Sequence, residues 1–197
     1  MPLITFGEIL DLILMTFFVG YIFSGMVPVR REEHYDPLTH YKRGFDWEGL
    51  KFAIMATAPA VILHELMHKF VALGFGLDAV FYAFYRSTFT LMLGIFSIIA
   101  KITGFGFIFF VPGYVGISGN GTHLQFALTA FAGPFVNLVL WILPWYLLKY
   151  KIYKKKHYLL LVLTQRINMF LFIFNMLPIP GFDGYKVFTG LIRAFTG

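Results

Sequence analysis

The stretch "LQFALTAFAGPFVNLVLWILPWYLL", residues 124–148, contains 25 consecutive positions without a charged side chain. A helix of that length measures about 37 Å, and the hydrocarbon core of a bilayer is about 30 Å thick. The stretch therefore predicts a transmembrane helix, despite Pro134 and Pro144.

The composition of the whole chain agrees with this prediction. The 197 residues are 58% hydrophobic and only 13% charged, whereas soluble domains carry about 25% charged residues. The net charge of +6 does not indicate nucleic acid, because the basic residues lie in short blocks between apolar spans, as in membrane proteins. We expect a lipid bilayer as partner and no nucleic acid. The absence of cysteine excludes disulfides and thiolate chemistry.

Three further apolar segments flank charged loops. Residues 12–29 predict a retained N-terminal membrane helix, a second apolar helix runs from Phe52 to Leu73, and a last spanning segment covers about 158–178. The charged loop 30–51 and the lysine-rich "KYKIYKKKH" (149–157) separate them. We expect an all-α polytopic membrane protein with about four to six transmembrane helices.

Residues 78–118 fit this pattern less simply. The uncharged "STFTLMLGIFSIIA" (87–100) is short for a straight crossing. The glycine spacing and the aromatic and β-branched residues after it favour strand and turn, so we predict a short re-entrant β-hairpin near 104–118. Whether 82–103 crosses the membrane stays open, and the orientation of the chain stays open with it.

The segment "VILHELMHKF" (61–70) places His64, Glu65 and His68 in an apolar helix. Residues four apart lie on one helix face, so His64 and His68 can offer two imidazole nitrogens to one metal ion. Glu65 lies about 100° further round the helix, which suits a carboxylate that takes a proton from water at the open position of the metal.

A catalytic zinc site needs a third protein ligand, which must be His, Asp or Glu in a chain without cysteine. Asp183 is the acid beside an apolar helix end late in the chain, and Gly181 and Gly184 allow the backbone to turn its carboxylate back toward the bundle. The remaining histidines lie in or beside loops and are predicted to be exposed: His34, His40, His123 and His157.

An ionisable side chain in a membrane helix costs about 2.5–3.5 kcal/mol on insertion scales. Metal binding of about 10 kcal/mol or more can offset that cost, which favours a metal site. Two alternatives stay open. The cluster could line a metal or ion transport path, or the same groups could serve a zinc hydrolase that acts on a lipid or a small amide.

Three stretches together resemble the site-2 protease family of intramembrane zinc metalloproteases: "HELMH" (64–68), "AGPFVN" (132–137) and "NMLPIPGFDG" (175–184). A fourth, "GFIFFVPGYV" (106–115), is similar to the family's membrane-associated β-hairpin. The resemblance implies one Zn²⁺ per chain, with His64, His68 and Asp183 as ligands and Glu65 as general base. It also implies that Asn175 and Asn137 contact the substrate.

The resemblance implies a metalloendopeptidase that cuts transmembrane helices of other proteins, in a multi-pass protein of the cell membrane. It suggests one integral membrane domain over 1–197, with a protease core at 52–186 and an additional N-terminal helix and loop at 1–51. Family members often carry a PDZ domain between the second and third core helices, where this chain has only "KYKIYKKKH". We also expect the hairpin to pair edge-on with an extended substrate.

Overall fold

The computed structural model describes residues 3–24, 46–104 and 112–197. These residues form six α-helices and two β-strands, with two short 3₁₀ turns between them. In chain order the helices and strands are α1 (Phe6–Phe23), α2 (Trp47–Gly74), β1 (Asp78–Ala83), α3 (Thr88–Thr103), β2 (Gly113–Ser118), α4 (His123–Lys149), α5 (Tyr158–Asn175) and α6 (Asp183–Thr196).

In the described ranges, four helical segments are long and apolar enough to cross a membrane. They are Phe6–Phe23, Trp47–Gly74, His123–Lys149 and Lys155–Asn175. The predicted all-α polytopic membrane fold is therefore confirmed. The helix α3 has 16 residues, about 24 Å of helix, and is too short for a straight crossing of a core about 30 Å thick.

Helix α4 lies at the centre of the bundle and packs against α2, α5 and α6, while α1 packs against α2. It begins with a capping box in which Thr122 and Gln125 bond each other's backbone N–H groups. Its buried residues are mostly small, including Ala130 and Gly133. Small residues let helix backbones approach closely, and this brings α4 against the histidine-bearing half of α2.

The strands form one antiparallel pair, with Asp78 opposite Ser118 and Ala83 opposite Gly113. The predicted strand near 104–118 is present as β2. The structure pairs β2 with β1, on the far side of α3, a partner that the sequence did not predict. The buried Phe81 ring needs the space at Gly113, where a Cβ would lie 2.7 Å from that ring. The rest of the predicted hairpin, 105–111, lies outside the described residues.

Two acidic residues anchor α1 to the rest of the bundle. The carboxylate of Glu8 pairs with Lys69 of α2 and accepts the N–H of Phe81 at 2.8 Å. The carboxylate of Asp11 accepts the hydroxyl of Tyr85. Glu8 and Asp11 are 3% and 1% exposed. They stay paired at this depth because Lys69 of α2 and backbone N–H groups of β1 face them.

Candidate metal centre

Three ligand-type side chains converge between α2 and the start of α6. The Nε2 atoms of His64 and His68 lie 3.1 Å apart, and Asp183 Oδ2 lies 3.1 Å from the first and 3.2 Å from the second. His68 lies six residues, about 9 Å of helix, from the end of α2. The cluster is therefore inside the length of a spanning helix, and its donor atoms could hold one metal ion.

The loop after α5 brings Asp183 back to the histidines. Gly181 has a φ of +102°, a conformation that other residues rarely adopt. At Gly184 a Cβ would collide with the backbone of Met176 and lie 2.8 Å from the carbonyl oxygen of Leu177. Both glycines thus let the loop turn the Asp183 carboxylate toward Nε2 of the two histidines.

The outer nitrogens of both imidazoles are hydrogen-bonded, which orients the inner ones. Nδ1 of His64 lies 2.5 Å from Oδ1 of Asn137, and Nδ1 of His68 lies 2.7 Å from the backbone oxygen of Thr129. Both partners are acceptors, so each Nδ1 carries the proton. Each Nε2 then offers a lone pair to the centre of the cluster, as a metal ligand requires.

Gly133 of α4 leaves the space beside the donor atoms free. A Cβ at this position would lie 2.7 Å from Nε2 of His64 and would collide with Nε2 of His68. Two nitrogens, one carboxylate oxygen and no sulfur are a ligand set that suits zinc. The residues present therefore fit a zinc ion, and the "AGPFVN" segment contributes the space for it.

Glu65 follows His64 directly and is buried, with 9% of its surface exposed. Within the described ranges, no hydrogen bond joins its carboxylate to another residue. A carboxylate next to the ligand cluster and without a bonded partner can accept a proton from water.

Other residues that the sequence singled out lie apart from the donor atoms. Asn175 is half-buried at the end of α5, and Asn137 is fully buried behind His64. Their substrate contacts stay predictions. His123 and His157 are exposed, and His34 and His40 lie outside the described residues.

Asn168 of α5 was missed as a site residue. In the sequence it stands beside Gln165 and Arg166, so it looked like part of a general polar group. In the structure it is fully buried and its side chain bonds that of Asn137. No sequence signal separates it from its neighbours, because the contact joins two helices.

The fold and the donor set together define a polytopic membrane protein with a buried centre that could hold zinc. The chain is 38% identical over 138 residues to a protein of Methanocaldococcus jannaschii named "Putative zinc metalloprotease MJ0611", and the match covers 68% of each protein. No family model and no solved structure matches the chain. The chain belongs to the zinc metalloprotease family of this archaeal relative.

Proposed function

We propose that this chain is a zinc-dependent intramembrane endopeptidase of the site-2 protease type, which hydrolyses peptide bonds of transmembrane helices in the cell membrane. The observation that supports this most strongly is the convergence of His64, His68 and Asp183 within 4.8 Å of one another, with both histidines in a candidate spanning helix. A peptidase centre at that depth suits a substrate that is itself in the membrane.

His64, His68 and Asp183 would hold one zinc ion and leave a further position for water or substrate. When bound, zinc acts as a Lewis acid and lowers the pKa of water to about 7. Glu65 is the general base, which takes the proton of the attacking water and passes it to the leaving amine. Asn175 is the last residue of α5, before the loop that carries Asp183, and we propose that it contacts the substrate backbone.

A helical substrate keeps its carbonyls bonded within the helix, so it must unwind locally before attack. Among the described residues, the small sheet offers one edge for the extended chain. The outer edge of β1 is occupied, since the N–H groups of Phe81 and Ala83 donate to Glu8 and Asp11. The outer edge of β2 has no strand partner among the described residues. We propose that the unwound substrate pairs with β2.

One backbone group tests this pairing. Val115 lies opposite Phe81, whose N–H points away from β2, so in an antiparallel pair the N–H of Val115 points outward as well. Val115→Pro removes that donor, and a proline is tolerated on the outer side of an edge strand. We expect a fall of about 5–10-fold in kcat/KM, the worth of about one hydrogen bond. Val115→Ala keeps the donor and is the control. Equal turnover of both variants would contradict the pairing.

The main test uses wild type and Glu65→Gln, reconstituted with zinc in liposomes that contain a pool of synthetic single-span helices. Cleavage products are read by mass spectrometry. We expect cuts within the spanning segments by wild type, and a loss of about 10²–10⁴-fold in Glu65→Gln with its zinc retained. Zinc-loaded wild type that cuts no helix, or equal cleavage by both proteins, would contradict the proposal.

A further inference from the structure

Helix α5 contributes no donor atom to the metal centre, yet it is linked to it. Of the residues in α5, only Asn168 is buried, and the others are at least partly exposed. The helix thus buries a single residue, and that residue is polar. An amide in such surroundings costs free energy unless it is hydrogen-bonded, so its partners indicate its role.

The partners of Asn168 form a chain that ends at His64. The Nδ2 group of Asn168 donates to the backbone oxygen of Thr164 at 2.7 Å. Its Oδ1 atom accepts from Nδ2 of Asn137 at 2.8 Å, and Oδ1 of Asn137 faces Nδ1 of His64 at 2.5 Å. The chain crosses from α5 through α4 to α2.

The donor and acceptor atoms of these hydrogen bonds can be assigned in only one way. Nδ2 of Asn137 also donates to the backbone oxygen of Ala60 at 3.2 Å. The oxygens of Ala60 and Asn168 both accept, so the amide nitrogen of Asn137 must face them. Rotating the Asn137 amide by 180° would set its oxygen against two other oxygens. Its oxygen therefore faces His64, and Nδ1 of His64 must carry the proton.

We propose that Asn168 and Asn137 are positioning residues, a two-amide relay that holds His64 in the tautomer and ring orientation whose Nε2 binds zinc. The inference rests on the proposed zinc site. Neither amide touches the donor atoms of Asp183 or His68, so the relay acts on zinc through His64 alone. His68 provides an internal contrast, because its Nδ1 donates to the Thr129 backbone and needs no side chain.

Replacing residues of this kind that orient a metal ligand costs about 10–100-fold in metal affinity. We expect that loss for Asn168→Leu, which keeps the size of the side chain but removes the acceptor of Asn137. Asn168→Asp restores an acceptor at the same place, and we expect its zinc affinity to lie within about 3-fold of wild type on the same scale.

The experiment measures zinc dissociation constants by chelator competition on the full chain in lipid nanodiscs, together with thermal unfolding of the metal-free proteins. Thr57→Val is the matched control. Thr57 is a buried polar residue of α2 whose hydroxyl donates to the backbone oxygen of Ala53 in its own helix. We expect wild-type zinc affinity for this control.

Weaker zinc binding in Asn168→Leu, with recovery in Asn168→Asp, supports the relay. Wild-type affinity in a folded Asn168→Leu protein would overturn it, and so would an equal loss in Thr57→Val. Normal zinc binding by wild type without helix cleavage would contradict the proposed function but not the relay. A wild-type chain that binds no zinc would overturn both.

Discussion

Two regions of this molecule bury charged or polar groups in an apolar bundle, and they do so differently. The first is the α1 anchor, defined by Glu8, Asp11 and Lys69. Here the Glu8 carboxylate accepts from the Lys69 ammonium, and the Asp11 carboxylate accepts from the Tyr85 hydroxyl. In the metal centre, defined by His64, His68 and Asp183, the three donor atoms face one another. Among the described residues no lysine or arginine forms an ion pair with that carboxylate.

The difference shows how a structural polar cluster differs from a ligand cluster. Lys69 pairs with Glu8 and Arg86 pairs with Asp11, so the anchor stabilises the docking of α1 without any added group. The metal centre directs lone pairs and a negative charge at a single point, an arrangement that a cation completes. Lys69 follows His68 directly in the sequence, yet its side chain serves the anchor. The two clusters should therefore respond separately to substitution.

The largest loss of stability should come from breaking the Glu8–Lys69 ion pair of the anchor. Lys69→Met leaves the Glu8 carboxylate buried without its cation, and removal of one partner from a buried pair costs about 3–5 kcal/mol. We expect a corresponding fall in the free energy of unfolding, measured by denaturant titration in detergent, with zinc stoichiometry unchanged in the folded protein.

The double variant Glu8→Gln/Lys69→Met removes both charges and should recover most of that loss, because no ion then remains unpaired. If the single and double variants lose equal stability, the anchor does not act as an ion pair. If Lys69→Met loses zinc while it stays folded, the two clusters are not separate.

Filling the space beside the ligands should affect the metal centre and not the anchor. Gly133→Ala places a methyl group against Nε2 of both histidines. Overpacking of this kind costs about 1–3 kcal/mol, so zinc affinity should fall about 10–100-fold. Gly7→Ala adds a methyl group that meets nothing within 4 Å apart from its own stretch of helix backbone, and it is the matched control. Equal zinc affinity of the two variants would show that α4 does not border the site.

A smaller loss of stability should come from removing the Tyr85 hydroxyl, which donates to Asp11 of the anchor. The hydrogen bond to Asp11 raises the pKa of Tyr85 above its ordinary value, so the protonated phenol is the form that the folded state favours. This hydrogen bond stabilises the folded state below the pKa of about 10 that Tyr85 has in the unfolded chain. The stabilisation is lost as the pH rises through the pKa of Tyr85 in the folded state. Tyr85→Phe should cost no more than about 1 kcal/mol, because Tyr85 is partly exposed.

The pH dependence of unfolding checks this contribution. Wild type should lose stability relative to Tyr85→Phe as the solution becomes alkaline. A difference between the two proteins that does not change with pH would contradict the hydrogen bond to Asp11.

The sequence predicted the spanning helices, and the three candidate ligands that it singled out lie close together in the structure. Uncharged runs such as 124–148 can lie only in lipid or in a core, and an i, i+4 histidine pair has one geometry on a helix. It did not predict the pairing of β2 with β1, since strand partners are chosen by tertiary packing. It also did not predict the buried positions of Glu8 and Asn168, because their partners lie on other elements.

The central claim is that His64, His68 and Asp183 form one zinc site in the membrane. The most direct measurement is the zinc content of the purified full chain, of His64→Ala and of Asp183→Ala, each shown to be folded by circular dichroism. We expect about one zinc per wild-type chain, and loss or severe weakening of binding in both variants, as removal of one of three ligands predicts. Folded wild-type protein without stoichiometric zinc, or full zinc in Asp183→Ala, would contradict the claim.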